Sequence, residues 1–193
     1  MNYKLKNSRI LLWSITSILV FIIISLGTIA IISTQNTITP VGIVIHHSAV
    51  PFPPDGSPID VKAIDEIHQR KGYGIFYWGR TYHVGYHYII LPDGNLQQGR
   101  PENCKGAHTT GYNNYTGICL IGDFSPSDNI NSDKGPQEPT RKQMETLINL
   151  VRRLRSDYNI PTTNIHTHHE LNPETECPGE NFPIGAFLNK VSN

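Results

Sequence analysis

The chain has 193 residues, of which 38% are hydrophobic and 17% are charged, a length that accommodates one globular domain and a further short segment. Sixteen basic residues balance sixteen acidic ones, but Lys4, Lys6 and Arg9 all precede position 40, so the rest of the chain has thirteen basic and sixteen acidic residues and a net charge of −3. Because a nucleic-acid binder needs a basic face, this charge excludes nucleic acid as a partner, and three cysteines are too few for a disulfide framework.

Residues 10–32 form an uncharged apolar segment near the N-terminus. At a rise of 1.5 Å per residue its 23 residues span about 34 Å, enough to cross a hydrocarbon core of about 30 Å. The apolar core of a signal peptide is shorter, about 7–15 residues, so we predict an uncleaved membrane anchor, with secretion after signal cleavage as the alternative. The basic tail 1–9 favours a cytoplasmic N-terminus. Residues 33–40 are then predicted to form a linker, and residues 41–193 are predicted to form an exported domain on the periplasmic or cell-wall side.

Beyond residue 40, short β-like runs alternate with helical patterns. The longest helix is predicted to open at Thr140, which forms a capping box with Gln143, and its apolar stripe contains Met144, Leu147, Ile148, Val151 and Leu154. The sequence predicts a strand over 41–45 that ends at His46, followed by a helix to about Arg70 with Ser57 as its N-cap, Pro58 as its first residue, and Val61, Ile64 and His68 on one face. The other predicted elements are a hairpin over 85–98, a strand over 117–124 and a helix over 183–191. The pattern indicates one mixed α/β domain.

Histidines and one cysteine mark the candidate chemistry. His46 and His47 follow the first predicted strand, residues 166–169 contain three histidines, and Cys177 stands beside a proline–glycine turn. Two histidines and a cysteine from distant parts of a chain can form a zinc site with an open fourth position, which is the arrangement of catalytic zinc sites. From spacing alone, a set of buried structural side chains explains these residues equally well.

Five motifs occur in a fixed order along the chain. They are VIHHSA at 44–49, GYHYII at 85–90 with DG at 93–94 and GRP at 99–101, GAH at 106–108 with YN at 112–113, GICLIGDF at 117–124, and HHELNP at 168–173 with CPG at 177–179. Together they resemble the type 2 N-acetylmuramoyl-L-alanine amidases, a family shared with phage lysozyme amidases and peptidoglycan recognition proteins. The resemblance covers roughly residues 41–188 and implies a central mixed β-sheet flanked by helices, with a groove over one zinc ion.

The resemblance also implies roles for individual residues. By motif position, the ligands of one Zn²⁺ per chain are His46, His168 and Cys177. Tyr86 corresponds to the catalytic hydroxyl of the family. Thr175 stands where relatives have lysine or threonine, and it can donate a hydrogen bond but cannot supply a positive charge.

Further positions follow from the same resemblance. His108 and Asn113 are expected in the groove as substrate contacts, with a structural role for His108 as the alternative. Cys119 stands where cytosolic recycling relatives have a glutamate, so a glutamate base is absent at that position. The remaining motif histidines are expected to pack behind the site: His47, His87 and His169.

The implied activity is zinc-dependent hydrolysis of the amide bond between the lactyl group of N-acetylmuramic acid and L-alanine, by a monomeric domain that acts on peptidoglycan or muropeptides. The alternative is a non-catalytic peptidoglycan-recognition module, since relatives without the metal cysteine still bind muropeptides; the presence of Cys177 favours the enzyme. A zinc metalloprotease is disfavoured because the chain has no H-E-x-x-H helix, and Pro173 interrupts the segment after Glu170.

Three structural points complete the sequence-based expectations. The strand over 85–91 is expected to alternate, so that Tyr86, Tyr88 and Ile90 share one face. The aromatic segment 75–82 either lines the substrate groove or forms a surface insert that packs on itself. Cys104 and Cys119 either pair in an oxidising compartment or stay reduced, with Cys119 buried in its strand.

Overall fold

The computed structural model describes residues 2–55, 57 and 59–192. A long helix, α1 (Asn2–Gln35), precedes the domain. The strands and helices that follow are β1 (Ile43–His47), α2 (Val61–Arg70), β2 (Ile75–Tyr77), β3 (Arg80–Tyr82), β4 (Tyr88–Ile90), β5 (Leu96–Gln98), β6 (Thr116–Leu120), α3 (Arg141–Tyr158), β7 (Ile165–Thr167), α4 (His168–Leu171) and α5 (Ile184–Ser192).

The predicted mixed sheet is confirmed. Its five strands have the order β5-β4-β6-β1-β7; β1 is parallel to both β6 and β7, β4 is parallel to β6, and β5 is antiparallel to β4. The carboxyl ends of the parallel strands therefore lie at one edge of the sheet. Because Ile45 on β1 is level with Thr167 on β7, the residues that follow, His46 and His168, meet at this edge.

Helices cover both faces of the sheet. On one face the predicted stripe of α3 packs with α5 against Ile43, Ile45, Ile118 and Leu120, and on the other face α2 packs against Ile89, Cys119 and Ile121. The capping box of α3 is also confirmed, because the Thr140 side chain accepts from the Gln143 N–H while the Gln143 side chain accepts from the Thr140 N–H. Gln143 in turn donates to two carbonyls of the sheet, at 2.9 and 3.1 Å, which fixes α3 against the strands.

Helix α2 begins later than the sequence predicted. Its first residue is Val61, and the Asp60 side chain caps it by accepting from the Ala63 N–H. Ser57 instead donates its N–H and hydroxyl to Asp55 in a local turn, so the prediction that Ser57 caps this helix is wrong. Pro58, the predicted first helical residue, lies outside the described residues.

The prediction that Tyr86 shares a strand face with Tyr88 is also wrong. Tyr88 and Ile90 pack in the cluster beneath α3, whereas Tyr86 packs with Ile89 in the cluster beneath α2. Strand β4 begins only at Tyr88, and alternation holds only within extended strand. The residue between the two tyrosines, His87, is held at both its backbone and its ring by Gly117.

The aromatic segment 75–82 forms a separate two-stranded hairpin, β2–β3, and this hairpin contacts the end of α1. The Trp78 N–H donates to Ser33 Oγ at 2.9 Å, and Asn36 Nδ2 donates to the Phe76 carbonyl at 3.0 Å. The structure thus supports the surface-insert interpretation, with α1 as an additional contact. By length and composition, Trp13–Gln35 within α1 can cross a membrane, a test that a signal sequence also passes.

Candidate metal centre

Three side chains meet at the carboxyl edge of the sheet. The ligand atoms of His46, His168 and Cys177 all lie within 4.8 Å of one another, and Cys177 Sγ is 3.7 Å from His46 Nδ1. In a tetrahedral zinc site, with Zn–S near 2.3 Å and Zn–N near 2.0–2.1 Å, a sulfur and a nitrogen ligand lie about 3.6 Å apart. The spacing and the donor set, two imidazoles and one thiol, therefore fit zinc. In the part of the chain that the structure describes, no carboxylate joins this cluster.

A chain of hydrogen bonds fixes which nitrogen of His46 is free to bind a metal. His108 Nε2 is 3.0 Å from the Tyr115 carbonyl, which can only accept, so His108 carries its proton on Nε2. His108 Nδ1, at 3.1 Å from His46 Nε2, must then accept a hydrogen bond from the Nε2–H of His46. This arrangement leaves the His46 Nδ1 lone pair directed toward Cys177 Sγ, and burial keeps the ring neutral by lowering its pKa well below the usual value.

Cys177 is almost fully buried, at 7% exposure. Its sulfur accepts a hydrogen bond from the His47 N–H at 3.3 Å, although burial raises the pKa of the metal-free thiol to about 12. A thiol in such a position is a poor nucleophile until a cation displaces its proton. These contacts suit a metal ligand.

His168 is placed by the first turn of a short helix. Thr167 caps α4 in a capping box with Glu170, and this cap sets the position of His168 directly after β7. Burial lowers the pKa of His168, so its ring is neutral and can donate a lone pair. The ring centroids of His168 and His46 are 4.6 Å apart.

Tyr86 borders the cluster from the α2 side. Its ring centroid is 5.1 Å from that of His46 and 5.3 Å from that of His68. Burial, together with the nearby thiols of Cys119 and Cys177, raises the pKa of its hydroxyl well above the usual value. The hydroxyl thus stays protonated at neutral pH and can act as a hydrogen-bond donor.

Thr175 lies in the loop that leads to Cys177. Its hydroxyl oxygen accepts from the Cys177 N–H at 3.3 Å, which leaves the hydroxyl proton available for donation. The Thr175 carbonyl is 2.6 Å from His169 Nδ1, and the His169 N–H donates to the Cys177 carbonyl at 2.7 Å. His169 therefore braces the ligand loop from outside.

The two residues expected to contact substrate lie behind the metal cluster. His108 is 9% exposed and bonds to His46, as described above. With its amide nitrogen turned toward them, the Asn113 side chain donates to the Gly106 and Thr109 carbonyls, each at 3.2 Å. These contacts brace the loop that carries His108, and substrate contact by either residue remains a prediction.

Two other buried histidines act as structural cross-links. His47 Nδ1 accepts from the Phe124 N–H at 3.1 Å, and burial lowers its pKa to about 4. His87 joins the Cys104 carbonyl, 2.7 Å from its Nε2, to the Gly117 N–H, and burial lowers its pKa to about 4 as well. Packing roles were expected for both residues.

Sequence reasoning gave His68 no role, yet it supports Tyr86. Its Nδ1 accepts from the Gly85 N–H at 2.8 Å, and its ring lies against the ring of Tyr86. The available signal was its place on the apolar face of α2. Cys104 and Cys119 are buried and free, so the two thiols do not pair in this structure.

Comparison with known proteins gives consistent matches. The sequence profile described as N-acetylmuramoyl-L-alanine amidase matches residues 36–180, beginning directly after α1. The endolysin of Enterobacteria phage K11 is 32% identical over 121 residues, which cover 62% of this chain and 70% of the endolysin.

Solved structures show the same likeness. The N-acetylmuramoyl-L-alanine amidase LysC from Clostridium intestinale is 34% identical, with a TM-score of 0.63 over 80% of this chain and 86% of that one. A second match is a chain in the structure of tracheal cytotoxin bound to the ectodomain complex of peptidoglycan recognition proteins LCa and LCx. The sequence identity is 25%, and the TM-score is 0.55 over 75% of this chain and 79% of that one.

Proposed function

The chain belongs to the type 2 N-acetylmuramoyl-L-alanine amidase family, which it shares with the peptidoglycan recognition proteins, and we propose that it is a zinc-dependent peptidoglycan amidase. The bond it hydrolyses is the amide between the lactyl group of N-acetylmuramic acid and L-alanine. The observation that carries this proposal is the cluster of His46, His168 and Cys177, with a protonated tyrosine hydroxyl beside it.

The residues of the cluster fit the metal and define its setting. His46, through Nδ1, His168 and Cys177 would hold the ion and leave its fourth position open, as catalytic zinc sites do. When bound, zinc supplies Lewis-acid chemistry, because it polarises the scissile carbonyl and lowers the pKa of water toward about 7. His108 keeps the Nδ1 lone pair of His46 available through its hydrogen bond to Nε2.

Tyr86 and Thr175 would stabilise the negative charge that develops on the carbonyl oxygen of the substrate. The Tyr86 hydroxyl donates to the carbonyl oxygen as it becomes an oxyanion, and the Thr175 hydroxyl proton is free to donate as well. A single preorganised donor of this type is worth about 3–4 kcal/mol in the barrier. Both hydroxyls stay protonated at neutral pH, so they act as hydrogen-bond donors.

The α1 helix would hold this activity at a membrane. Residues 10–32 contain no charge and Lys4, Lys6 and Arg9 precede them, which supports an uncleaved anchor with the domain on the exported side. Secretion after cleavage is the alternative location.

A non-catalytic recognition module is the second candidate function, because a structure of recognition proteins with tracheal cytotoxin is among the relatives. The geometry of the cluster argues against it, since a muropeptide-binding groove has no need of a buried cysteine 3.7 Å from a histidine nitrogen.

One digest separates the candidates. The full-length chain in detergent, loaded with zinc, is incubated with a defined muropeptide and the products are weighed by mass spectrometry. An amidase releases intact stem peptide and the lactyl-bearing sugar, and a peptidase cuts within the stem. A recognition module binds the muropeptide and leaves it whole, which would refute the proposed activity. Cys177→Ala is the matched inactive variant, and Cys104→Ala, a buried cysteine outside the cluster, is the control.

A further inference from the structure

Trp78 stands at the tip of the β2–β3 hairpin in a setting that folding alone does not favour. The two turn residues, Trp78 and Gly79, have φ angles of 43° and 87°. Two-residue hairpins with both angles positive prefer Asn-Gly, and a bulky residue at positive φ is an outlier. The indole is also 59% exposed. A large aromatic residue kept in a strained and exposed position indicates a contact outside the chain.

The hairpin tip is fixed to the last turn of α1. The Trp78 N–H donates to Ser33 Oγ, and Ser33 is fully buried by this contact. Asn36 donates to the Phe76 carbonyl one turn later. Trp78 therefore lies level with the end of the apolar segment that can span a membrane, Trp13–Gln35.

The chain contains two tryptophans, and they stand at opposite ends of this segment. Trp13 lies three residues into the uncharged segment 10–32 and is 72% exposed. Ser33 follows Trp13 by 20 residues, a rise of about 30 Å along a helix, which equals the thickness of a bilayer's hydrocarbon core. Tryptophans at both ends of a span are typical of residues that sit among lipid headgroups. Residues 22–40 contain no aromatic side chain, so the hairpin brings the second tryptophan to this end of the helix.

Basic side chains surround the same end of α1. Arg80 is exposed beside the tip, with its guanidinium carbon 4.8 Å from the centre of the Tyr82 ring. Lys105 is exposed as well, and its N–H donates to the Asn36 carbonyl at 2.8 Å. Among the described residues, no ion pair engages Arg80 or Lys105. Their charges are therefore available to phosphate groups, and each basic residue near an anionic lipid surface adds to the attraction.

We propose that Trp78, Arg80 and Lys105 together form a membrane-interface anchor. This anchor lies among the phospholipid headgroups of the leaflet where α1 ends. This inference rests on the proposed role of α1 as a membrane span. The indole occupies the boundary between headgroups and acyl chains, and the two basic side chains bind lipid phosphates. The tip is a second, extramembrane contact that fixes the orientation of the amidase domain on the bilayer.

The test uses the full-length chain with Trp13→Phe, which makes Trp78 the only tryptophan. The protein is reconstituted into vesicles of phosphatidylglycerol and phosphatidylethanolamine, with or without lipids brominated near the headgroup end of the acyl chain. Insertion of α1 is measured separately, by co-sedimentation with the vesicles after alkaline extraction. We expect Trp78 emission to shift to shorter wavelength in vesicles and to lose most of its intensity with the brominated lipids.

The control places the single tryptophan at Ile130, in Trp13→Phe/Trp78→Phe/Ile130→Trp. Ile130 is 76% exposed and follows the carboxyl end of β6, whereas α1 joins the opposite end of the parallel strand β1. The emission of the tryptophan at position 130 should stay at long wavelength and should not be quenched by the brominated lipids. Trp78→Asn provides a further arm, because asparagine suits a positive φ. This variant should melt at or above the wild-type temperature, whereas a purely structural Trp78 would lower it.

The outcomes are distinct. Protein that is extracted from the vesicles refutes the membrane span itself, whatever Trp78 does. If the protein stays inserted and the brominated lipids do not quench the Trp78 emission, the anchor proposal is overturned and the membrane span is retained. A Trp78 signal that responds to soluble muropeptide, and not to lipid, assigns the tip to the substrate instead.

Discussion

Replacement of Tyr86 by phenylalanine removes one hydroxyl from the edge of the metal cluster and little else. The phenylalanine ring keeps its packing between His46 and His68, at the centroid distances of 5.1 and 5.3 Å seen for tyrosine. The hydroxyl lies near the Cys119 thiol, a weak hydrogen-bond partner. The loss of folding free energy should therefore stay below about 1 kcal/mol.

The catalytic cost should be much larger. If the hydroxyl donates to the developing oxyanion, its removal lowers kcat by about 10²- to 10³-fold, or about 2.7–4 kcal/mol. The assay measures kcat on a defined muropeptide, together with zinc content and melting temperature. We expect zinc content to be unchanged and the melting temperature to fall by no more than about 2–4 °C.

Tyr88→Phe is the matched control, since it removes a hydroxyl two residues further along the chain. The Tyr88 hydroxyl bonds to Glu102 and accepts from Arg153 at 3.0 Å beneath α3, so this variant should lose stability and keep its turnover. A turnover rate of Tyr86→Phe close to that of the wild type would refute the proposed catalytic role of Tyr86. That role is also refuted if the two variants show the same pattern, because Tyr86 would then be a structural residue.

Three further predictions address the metal, the location and the effect of pH. Cys177→Ala should lose zinc in metal analysis while Cys104→Ala retains it; full occupancy in the first variant would remove Cys177 from the site. The full-length chain should fractionate with membranes and resist alkaline extraction, whereas a mature N-terminus between residues 31 and 36 would show that the segment is cleaved. Burial lowers the pKa of His87 to about 4, below its unfolded value of about 6.5. The unfolded state therefore binds more protons between these values, and the contribution of His87 to folding stability should fall by about 3 kcal/mol as the pH is lowered from 6.5 to 4. In metal-free protein the urea midpoint of His87→Gln should fall less over this range, and an equal fall would exclude His87 as the source.

The sequence predicts well those features that depend on local pattern. The helix α3 shows its apolar stripe and its capping box within 18 residues, and the β4–β5 hairpin is marked by Pro92, Asp93 and Gly94. The metal ligands depend on distant residues, and spacing alone left them open. Only their positions in the ordered motifs shared with a known family singled out His46, His168 and Cys177. In the structure the ligand atoms of these three residues lie within 4.8 Å of one another.

Features set by tertiary contacts were not predictable in this way. The face occupied by Tyr86 depends on His87, whose backbone and ring both bond to Gly117 on another strand. The role of His108 depends on the proton positions in the series of hydrogen bonds that runs from His46 through His108 to the Tyr115 carbonyl. Neither contact leaves a periodic trace in the sequence, and the contact between Trp78 and Ser33 likewise joins segments 45 residues apart.

The junction between α1 and the domain would limit the reach of a membrane-bound form of the chain. The Ile38 N–H donates to the Asn103 carbonyl, and the Lys105 N–H donates to the Asn36 carbonyl, so the domain is attached within one to three residues of the helix end. A domain of some 150 residues is roughly 40 Å across, whereas a free 30-residue tether would add about 30 Å of range. A membrane-bound form would therefore work only on the layer of cell wall nearest the bilayer and would find its substrate by lateral diffusion. Insertion of a glycine–serine stretch after Asn36 would allow a membrane-bound form to reach deeper layers.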